Sequence, residues 1–282
     1  MDQRKPVTTA RIKKMKEDGI PISVVTAYDY PSARLADEAG VDVILVGDSL
    51  GNVVLGYEST IPVTLEDMIY HTRAVARAAN SAFVVTDLPF MTYHGGIDET
   101  LNAVARIMRE GAKAVKLEGG EEIAPTVEKI VKAGVPVMGH VGLTPQSLYQ
   151  IGGYKVQGKS AAQAEKLLRD AKALEQAGAF SIVLELVTEE VAAYMTRELS
   201  IPTIGIGSGA GCDGQVLVFH DLLQYAPAAK PKKFVKAYAN IGEQIREGIA
   251  RYVKEVKERT FPSSQYAFQS DRDVLDYLNE ND

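Results

Sequence analysis

The sequence predicts an α/β fold in the form of a closed (β/α)₈ barrel, and three features of the chain support this prediction. Eight apolar runs of strand length recur along its 282 residues. Segments with helical spacing lie between most of these runs, and several end in glycine, which is common just after a helix. Because the runs are apolar on both faces, they are typical of parallel strands that helices cover. Eight such units in about 200 residues fit a closed barrel better than an open, doubly wound sheet.

The predicted elements follow one another in a regular order. The strands are expected at residues 22–28, 41–48, 82–88, 112–118, 135–142, 179–187, 201–207 and 215–223. Helical spacing is clearest at residues 31–40, 64–79, 99–111, 121–134 and 161–178, whereas the connection between the last two strands is too short for a full helix. We expect one barrel domain over residues 1–282, with an extra N-terminal helix at 8–18. A C-terminal helical extension should begin at about residue 233, with helices at 233–258 and 271–280.

The composition restricts the classes of function. A net charge of −6, without a dense block of Lys and Arg, argues against a nucleic acid or a membrane surface as partner and favours small-molecule substrates. Cys212 is the only cysteine, so the chain has no disulfide framework and no thiolate zinc site. The first residues lack the apolar core of a signal peptide, and no stretch approaches the roughly 18 apolar residues of a membrane span. We therefore expect a cytoplasmic protein.

Polar side chains stand at the ends of the predicted strands. In a (β/α)₈ barrel the chemistry belongs at the carboxyl ends of the strands. These ends carry Asp29, Asp48, Asp87, Lys116 with Glu118, His140, Glu185, Ser208 and His220. Lys116 and Glu118 are two positions apart and should project to the same side of their strand.

Four of these residues are acids that would converge on one mouth: Asp48, Asp87, Glu118 and Glu185. Each pair of carboxylates at ~4 Å would repel by about 1 to 4 kcal/mol, and one lysine does not neutralise the set. A divalent cation would neutralise the set, and all-oxygen donors select a hard ion such as Mg²⁺. The alternative is that Asp48 and Asp87 only cap loops or helix N-termini.

Other features carry weaker signals. The segment GIGSGAG, residues 205–211, fits a dinucleotide-binding fingerprint but leads into a strand rather than a helix. His140 could donate a hydrogen bond in the mouth or be a satisfied core histidine. The long loops 49–63 and 143–160 are candidates for lids or for subunit contacts.

The motifs GDSLG, DLPFMTY, GAKAVKLEGG, PVMGHVGLTPQS, GGYKVQG and IVLELV together resemble the ketopantoate hydroxymethyltransferase family. The resemblance runs from about residue 8 to 225. It implies a (β/α)₈ barrel of the phosphoenolpyruvate/pyruvate type, a homo-oligomer that is usually a decamer, and the first committed step of pantothenate synthesis. The implied substrates are 3-methyl-2-oxobutanoate and 5,10-methylenetetrahydrofolate, and the implied product is 2-dehydropantoate (ketopantoate).

The resemblance also implies a role for each site residue. Asp48 and Asp87 would bind Mg²⁺, and Glu118 would join them directly or through water. The Asp48–Ser49 segment and Lys116 would hold the 2-oxo acid, and Glu185 would be the catalytic base. Asp87 and, from its place at the end of the fifth predicted strand, His140 are also expected in the substrate site. A 2-oxo acid can chelate Mg²⁺ through its carboxylate and keto oxygens, and the ion would stabilise the enolate formed when C3 loses its proton. No motif marks the folate site.

Three alternatives stay open at this stage. The chain could be another metal-dependent carbon–carbon lyase or aldolase with a different electrophile. Lys116 could instead form a Schiff base with the substrate. From a different class, the chain could be a ligand-binding or scaffold protein that has lost catalysis, although the set of four acids argues against this.

Overall fold

In a computed structural model that describes residues 4–225 and 232–280, eight parallel strands form a closed barrel in chain order. Each strand pairs with the next, and the eighth pairs with the first. The predicted (β/α)₈ barrel is therefore confirmed. The strands are β1 (Ile22–Thr26), β2 (Val43–Val46), β3 (Phe83–Asp87), β4 (Ala114–Glu118), β5 (Val137–Gly142), β6 (Ser181–Glu185), β7 (Thr203–Ile206) and β8 (Gly214–Val218).

Twelve α-helices flank or follow the strands within the described residues. They are α1 (Thr9–Glu17), α2 (Tyr30–Glu38), α3 (Leu50–Val53), α4 (Leu65–Ala78), α5 (Ile97–Arg109), α6 (Ala124–Lys132), α7 (Leu148–Ile151), α8 (Ala161–Gln176), α9 (Glu189–Glu198), α10 (Phe219–Leu222), α11 (Ile241–Lys257) and α12 (Arg272–Glu280). As the sequence indicates, no helix separates β7 from β8. The helix expected at 8–18 is present as α1, with the Thr8 side chain accepting a hydrogen bond from the Arg11 amide.

Most predicted strands overrun the observed ones by one or two residues at an end, and two predicted elements extend much too far. The eighth strand ends at Val218 rather than at residue 223, because its partner β1 ends opposite it at Thr26 and offers no further backbone groups for pairing. The next residues turn into α10 instead. The helix predicted at 233–258 begins only at Ile241. Before that point the amide of Tyr238 bonds to the carbonyl of Leu222, so the chain is tied to α10 rather than to a helix of its own.

The core has an inner and an outer layer. Inside the barrel, apolar side chains from the strands pack together with Val7, Ile12 and Met15, so α1 and the segment just before it close the amino end of the barrel. Outside the barrel, the other faces of the strands pack against the surrounding helices. Packing at the amino end leaves the carboxyl ends of the strands as the open mouth.

The single domain expected over residues 1–282 includes residues 1–3, 226–231 and 281–282, which lie outside the described part of the chain. Among the described helices, none combines the length and the apolar composition needed to cross a membrane.

Candidate active site

Six of the predicted site residues meet at the mouth of the barrel. Asp87, Glu118 and Glu185 are the last residues of β3, β4 and β6, where a side chain can leave the core and still be held by the sheet. The pairing register sets Asp87 beside Lys116 and Glu118 beside His140 on neighbouring strands. Asp48 comes two residues after β2 ends. The register of the barrel thus brings together residues that are far apart in the chain.

Lys116 lies at the centre of the carboxylates. Its Nζ is 2.9 Å from Oδ1 of Asp87 and 3.9 Å from Oε1 of Glu118, which confirms that Lys116 and Glu118 project to the same side of β4. Burial opposes the charge on Lys116, but the surrounding carboxylates, first Asp87 and then Glu118, outweigh burial and raise the pKa of the amine above its usual value. The side chain is therefore an ammonium ion at neutral pH.

Asp48 and Asp87 are tied to each other through the backbone. The amide of Asp48 donates to Oδ2 of Asp87 over 3.0 Å. Gly47 precedes this pair, and an added Cβ there would lie 2.9 Å from Oγ of Ser49 but only in ordinary contact, at 3.5 Å, with Oδ2 of Asp87. Ser49 is held in turn by the hydroxyl of Tyr28, which is 2.7 Å from its Oγ. The predicted Asp48–Ser49 segment is thus fixed at the mouth.

His140 lies between Glu185 and the acidic cluster, which consists of Asp48, Asp87 and Glu118. Its Nδ1 is 3.4 Å from Oε1 of Glu118, and its Nε2 is 3.2 Å from Oε2 of Glu185. The second contact is close enough for an ion pair but is not aligned as a hydrogen bond. Burial and Lys116 disfavour a charge on His140, but its contacts with Glu118 and Glu185 outweigh them and raise the pKa of His140 to about 9. The imidazole is therefore cationic at neutral pH, and its contacts with Glu118 and Glu185 are ion pairs, with Nδ1 also 3.3 Å from Nζ of Lys116.

Glu185 differs from the other acids in its access to solvent. Its side chain is 16% exposed, compared with 2% for Glu118 and 3% for Asp87. Asp87 and Glu118 are thus almost fully buried, whereas Glu185 keeps partial access to solvent. Glu185 is thus placed to meet a molecule that enters the mouth.

The cluster contains more negative than positive charge. Four carboxylates share the mouth with the cationic Lys116 and His140. Burial, followed by repulsion from Glu118 and Asp87, raises the pKa of Asp48 well above its ordinary value. Burial also raises the pKa of Asp87, despite the opposing effect of Lys116. These carboxylates would be more stable beside an additional cation.

The donors present fit a hard divalent cation. Oδ1 of Asp87 is buried and paired only with the Lys116 ammonium, without an aligned hydrogen bond, and no donor within the described residues is bonded to Oδ1 of Asp48. Across the part of the chain that the structure describes, no three His, Cys, Asp or Glu side chains are arranged to hold an ion by themselves. This agrees with Mg²⁺, which uses one or two carboxylates and completes its coordination with water and substrate.

Sequence reasoning missed Gln146 and Tyr93. Nε2 of Gln146 donates to Oδ2 of Asp48 over 2.8 Å, and its backbone amide donates to Oε2 of Glu118 over 2.9 Å. The Tyr93 hydroxyl lies 2.6 Å from Oε1 of Gln146. Both residues stand in motifs that carry the family resemblance, but nothing in the local sequence marks their side chains as buried.

Three strand-end residues do not join the site. Asp29 caps α2 by accepting a hydrogen bond from the amide of Ser32. Ser208 donates to the carbonyl of Leu184 and so braces β6. His220 lies in α10, with its ring 5.6 Å from that of Tyr28. The glycine-rich segment 205–211 leads into β8 without an intervening helix, so it lacks the helix N-terminus of a dinucleotide site.

The closed barrel with carboxylates, a lysine and a histidine at its mouth defines the class of the protein, a (β/α)₈-barrel enzyme. Solved structures of the same fold include 2,3-dimethylmalate lyase, a PEP mutase/isocitrate lyase superfamily member, with a TM-score of 0.58 at 18% identity over 97% of this chain and 95% of that chain. A phosphonopyruvate hydrolase solved with oxalate and Mg²⁺ has a TM-score of 0.57 at 15% identity over 98% and 96% of the two chains. At these identities the likeness concerns the fold alone.

The sequence gives a narrower result. The chain belongs to the ketopantoate hydroxymethyltransferase family, whose model matches residues 6–264. It is 56% identical over 272 residues to the 3-methyl-2-oxobutanoate hydroxymethyltransferase of Halalkalibacterium halodurans, covering 96% of this chain and 97% of that protein. It is 60% identical over 255 residues to the enzyme of the same name from Geobacillus kaustophilus, covering 90% and 91%. The family resemblance noted in the sequence is thereby confirmed.

Proposed function

We propose that this chain transfers a hydroxymethyl group from 5,10-methylenetetrahydrofolate to 3-methyl-2-oxobutanoate and so forms ketopantoate for pantothenate synthesis. Membership of the family supports this reaction directly. The observation that carries the proposal is the arrangement of the mouth: an enclosed set of Asp48, Asp87, Glu118 and Lys116, with the more accessible Glu185 beside it. The enclosed set, with Lys116 and a site for a cation, suits binding of an anionic 2-oxo acid. Glu185 suits removal of a proton from that acid.

Asp48 and Asp87 are the residues that would hold Mg²⁺. Asp48 would do so through Oδ1, which no donor in the described residues occupies, and Asp87 through Oδ1, which it would share with the Lys116 ammonium. Bound there, the ion would orient the 2-oxo acid and stabilise the negative charge that its keto oxygen gains when C3 is deprotonated. Glu118 already accepts a hydrogen bond from the amide of Gln146 and pairs with the His140 imidazolium, so we assign it an outer role, in which it would reach the ion through water.

Lys116 and Ser49 would bind the carboxylate end of the substrate. The Lys116 ammonium is fixed by Asp87, so its charge is already in position when the substrate arrives. Fixed charges of this kind bind an anion without reorganising during the reaction. Oγ of Ser49 is oriented by Tyr28 and supplies a hydroxyl at the start of α3.

Glu185 would act as the general base. Its carboxylate takes the C3 proton, and the electron pair of the C–H bond moves into the enolate. The enolate carbon would then bond to the methylene carbon of the folate as one of its two C–N bonds breaks, and water would replace the second nitrogen to give the hydroxymethyl group. The C3 proton held by Glu185 and one proton of the water go to the two folate nitrogens, which gives tetrahydrofolate. His140, 3.2 Å from Oε2 of Glu185, is placed to hold the base in position.

The Schiff-base alternative is disfavoured by the surroundings of Lys116. A nucleophilic lysine must lose its proton, and the common way to achieve this is burial without a partner or beside another cation. Here the carboxylates of Asp87 and Glu118 overcome burial and raise the pKa of Lys116. Borohydride trapping of substrate on Lys116, with activity that survives EDTA, would favour the alternative instead.

The proposed reaction is tested by measuring ketopantoate formation with and without its two requirements. We expect product only when both Mg²⁺ and methylenetetrahydrofolate are present, and none after EDTA treatment. Product formation from a 2-oxo acid with another electrophile, and none with the folate, would instead assign the chain to the aldolases or lyases of the same fold.

Two further properties belong to the same proposal. We propose a homo-oligomer, most simply the decamer that is usual in the family, and the exposed apolar side chains along α11 support association with other copies. We also propose a cytoplasmic location. The single cysteine supports it, because disulfide-free chains are typical of reducing compartments.

A further inference from the structure

The side-chain amide of Gln146 joins the two halves of the acidic cluster. It is buried, and Nε2 donates to Oδ2 of Asp48 over 2.8 Å and to the carbonyl of Leu88 over 2.9 Å. Its backbone amide donates to Oε2 of Glu118 over 2.9 Å. One residue thus bonds to two of the acids, although it comes from the loop after β5 rather than from a strand end.

The surrounding bonds allow only one orientation of this amide. Oε1 lies 2.6 Å from the hydroxyl of Tyr93, which can donate, whereas Nε2 faces Oδ2 of Asp48 and the carbonyl of Leu88, which can only accept. If the amide were flipped, its oxygen would face the carbonyl oxygen of Leu88 with no proton between them. Gln146 therefore donates to Asp48.

This donation selects which oxygen of Asp48 remains for a ligand. Oδ2 is occupied by Gln146, and within the described residues no donor is bonded to Oδ1. Groups that bond to a metal-binding carboxylate orient it and are typically worth about 10- to 100-fold in metal affinity or activity. We propose that Gln146 is a positioning residue for the cation site, acting through Asp48 and Glu118. This inference rests on the proposed Mg²⁺ site, and neither the sequence motifs nor the family name assigns it.

The substitution Gln146→Met tests the inference because it keeps the length of the side chain and the backbone amide but removes the donor. Mg²⁺ affinity is measured by titration calorimetry on the substrate-free protein, and stability by thermal unfolding in EDTA. The matched control is Gln150→Met, the same substitution at an exposed position four residues further along the same loop. We expect Gln146→Met to weaken Mg²⁺ binding by about 10- to 100-fold and Gln150→Met to leave it unchanged.

A purely structural amide would give a different result. In that case Gln146→Met would lower the unfolding temperature in EDTA but leave Mg²⁺ affinity within twofold of the wild type, and this outcome would overturn the proposal. A wild-type protein that binds no Mg²⁺ would overturn it as well. If Gln146→Met fails to fold, Tyr93→Phe releases Oε1 of Gln146 instead, and we expect weaker Mg²⁺ binding in the same direction; unchanged binding would count against the inference.

The readout is independent of the proposed reaction. If the wild type binds Mg²⁺ and Gln146→Met weakens that binding, but neither protein makes ketopantoate, the reaction is wrong and the positioning role stands. If the wild type makes ketopantoate and Gln146→Met binds Mg²⁺ normally, the reaction stands and the positioning role is wrong.

Discussion

Asp48 illustrates the conflict between stability and function at the level of a single residue. It is buried beside two other acids, and its pKa is raised well above the ordinary value by burial, by Glu118 and by Asp87. An acid whose pKa is raised in the folded state costs stability at any pH where it must ionise. It costs nothing below its unfolded pKa of about 4, where both states are protonated.

The substitution Asp48→Asn should therefore stabilise the metal-free protein. We expect a higher unfolding temperature in EDTA at neutral pH, because the amide removes a buried charge and still accepts the bond from Gln146. The gain should disappear below about pH 4, and Mg²⁺ binding should be lost. A lower unfolding temperature at neutral pH would show that Asp48 is already compensated without a cation.

Glu185 is the residue whose proposed role can be isolated from the folate. Removal of the C3 proton needs no one-carbon donor, so the wild type with Mg²⁺ should exchange the C3 hydrogen of 3-methyl-2-oxobutanoate for solvent deuterium. Glu185→Gln keeps the shape of the side chain but removes the base. We expect NMR to show exchange slowed by about 10²- to 10⁴-fold, with substrate affinity changed little.

The control for this experiment is Glu190→Gln, the same substitution at an exposed position early in α9. It should exchange at the wild-type rate. If Glu185→Gln also exchanges at that rate, His140 or a water molecule in the mouth becomes the better candidate for the base.

At the level of elements, the end of β5 depends on a glycine. Gly142 has a φ of +100°, and an added Cβ would lie 2.3 Å from the carbonyl oxygen of Glu185 in β6. Gly134, after α6, has a similar φ of +91° but no atom within 4 Å of an added Cβ. An alanine at Gly134 would suffer only backbone strain, whereas an alanine at Gly142 would also clash with β6. Comparing the two substitutions therefore separates the two effects.

We expect Gly134→Ala to lower the free energy of unfolding by about 1–2 kcal/mol, the typical cost of a left-handed conformation. Gly142→Ala should lower it further and also slow C3 exchange, because the backbone of Glu185 must move away. Urea unfolding and deuterium exchange provide the two measurements. If the two substitutions had equal effects on the free energy of unfolding and on the rate of C3 exchange, β5 and β6 would have moved apart without disturbing the site.

The loop after β5 is a second element that controls the site. Gln146, in the loop of residues 143–160, bonds to both Asp48 and Glu118. The loop therefore contacts residues of the proposed active site, whether or not it also covers the substrate. Whether this loop or loop 49–63 serves as a lid stays a prediction. The bonds of Gln146 place the beginning of loop 143–160 among the fixed parts of the mouth.

At the scale of the whole molecule, α11 carries an exposed apolar stripe of Ile245, Ile249, Tyr252, Val253 and Val256. Side chains at this spacing share one helix face. None of the residues of α11 is buried within the chain. Such an uncovered face is typical of a surface that packs against another protein.

We expect light scattering to give a mass that is a multiple of 30.5 kDa, with ten copies for a decamer. Ile249→Glu, which places a charge on the stripe, should dissociate the oligomer in part or fully. Arg251→Glu also changes charge but lies two residues further on, on the opposite side of the helix, and should leave the mass unchanged. An active wild-type monomer would contradict the predicted association.

Much of this architecture could be predicted from the sequence, because each strand and helix carries its own local pattern. Apolar runs with polar ends indicated both the barrel and the convergence of Asp48, Asp87, Lys116 and Glu185. The predicted ends of β8 and α11 were wrong because pairing with β1 and bonding to α10 are not local.

The barrel and the acids at its mouth could be predicted from the sequence alone, since these follow from periodicity and from the carboxyl ends of parallel strands meeting on one side, whereas the family was indicated by its motifs. Only the tertiary structure decided how these acids are held. Gln146 lies 98 positions from Asp48 in the chain, and its burial, its orientation and its choice of one carboxylate oxygen depend on the enclosure formed with Tyr93 and Leu88. Such a side chain acquires its partners only when the barrel closes, because its donors and acceptors come from different strands and loops.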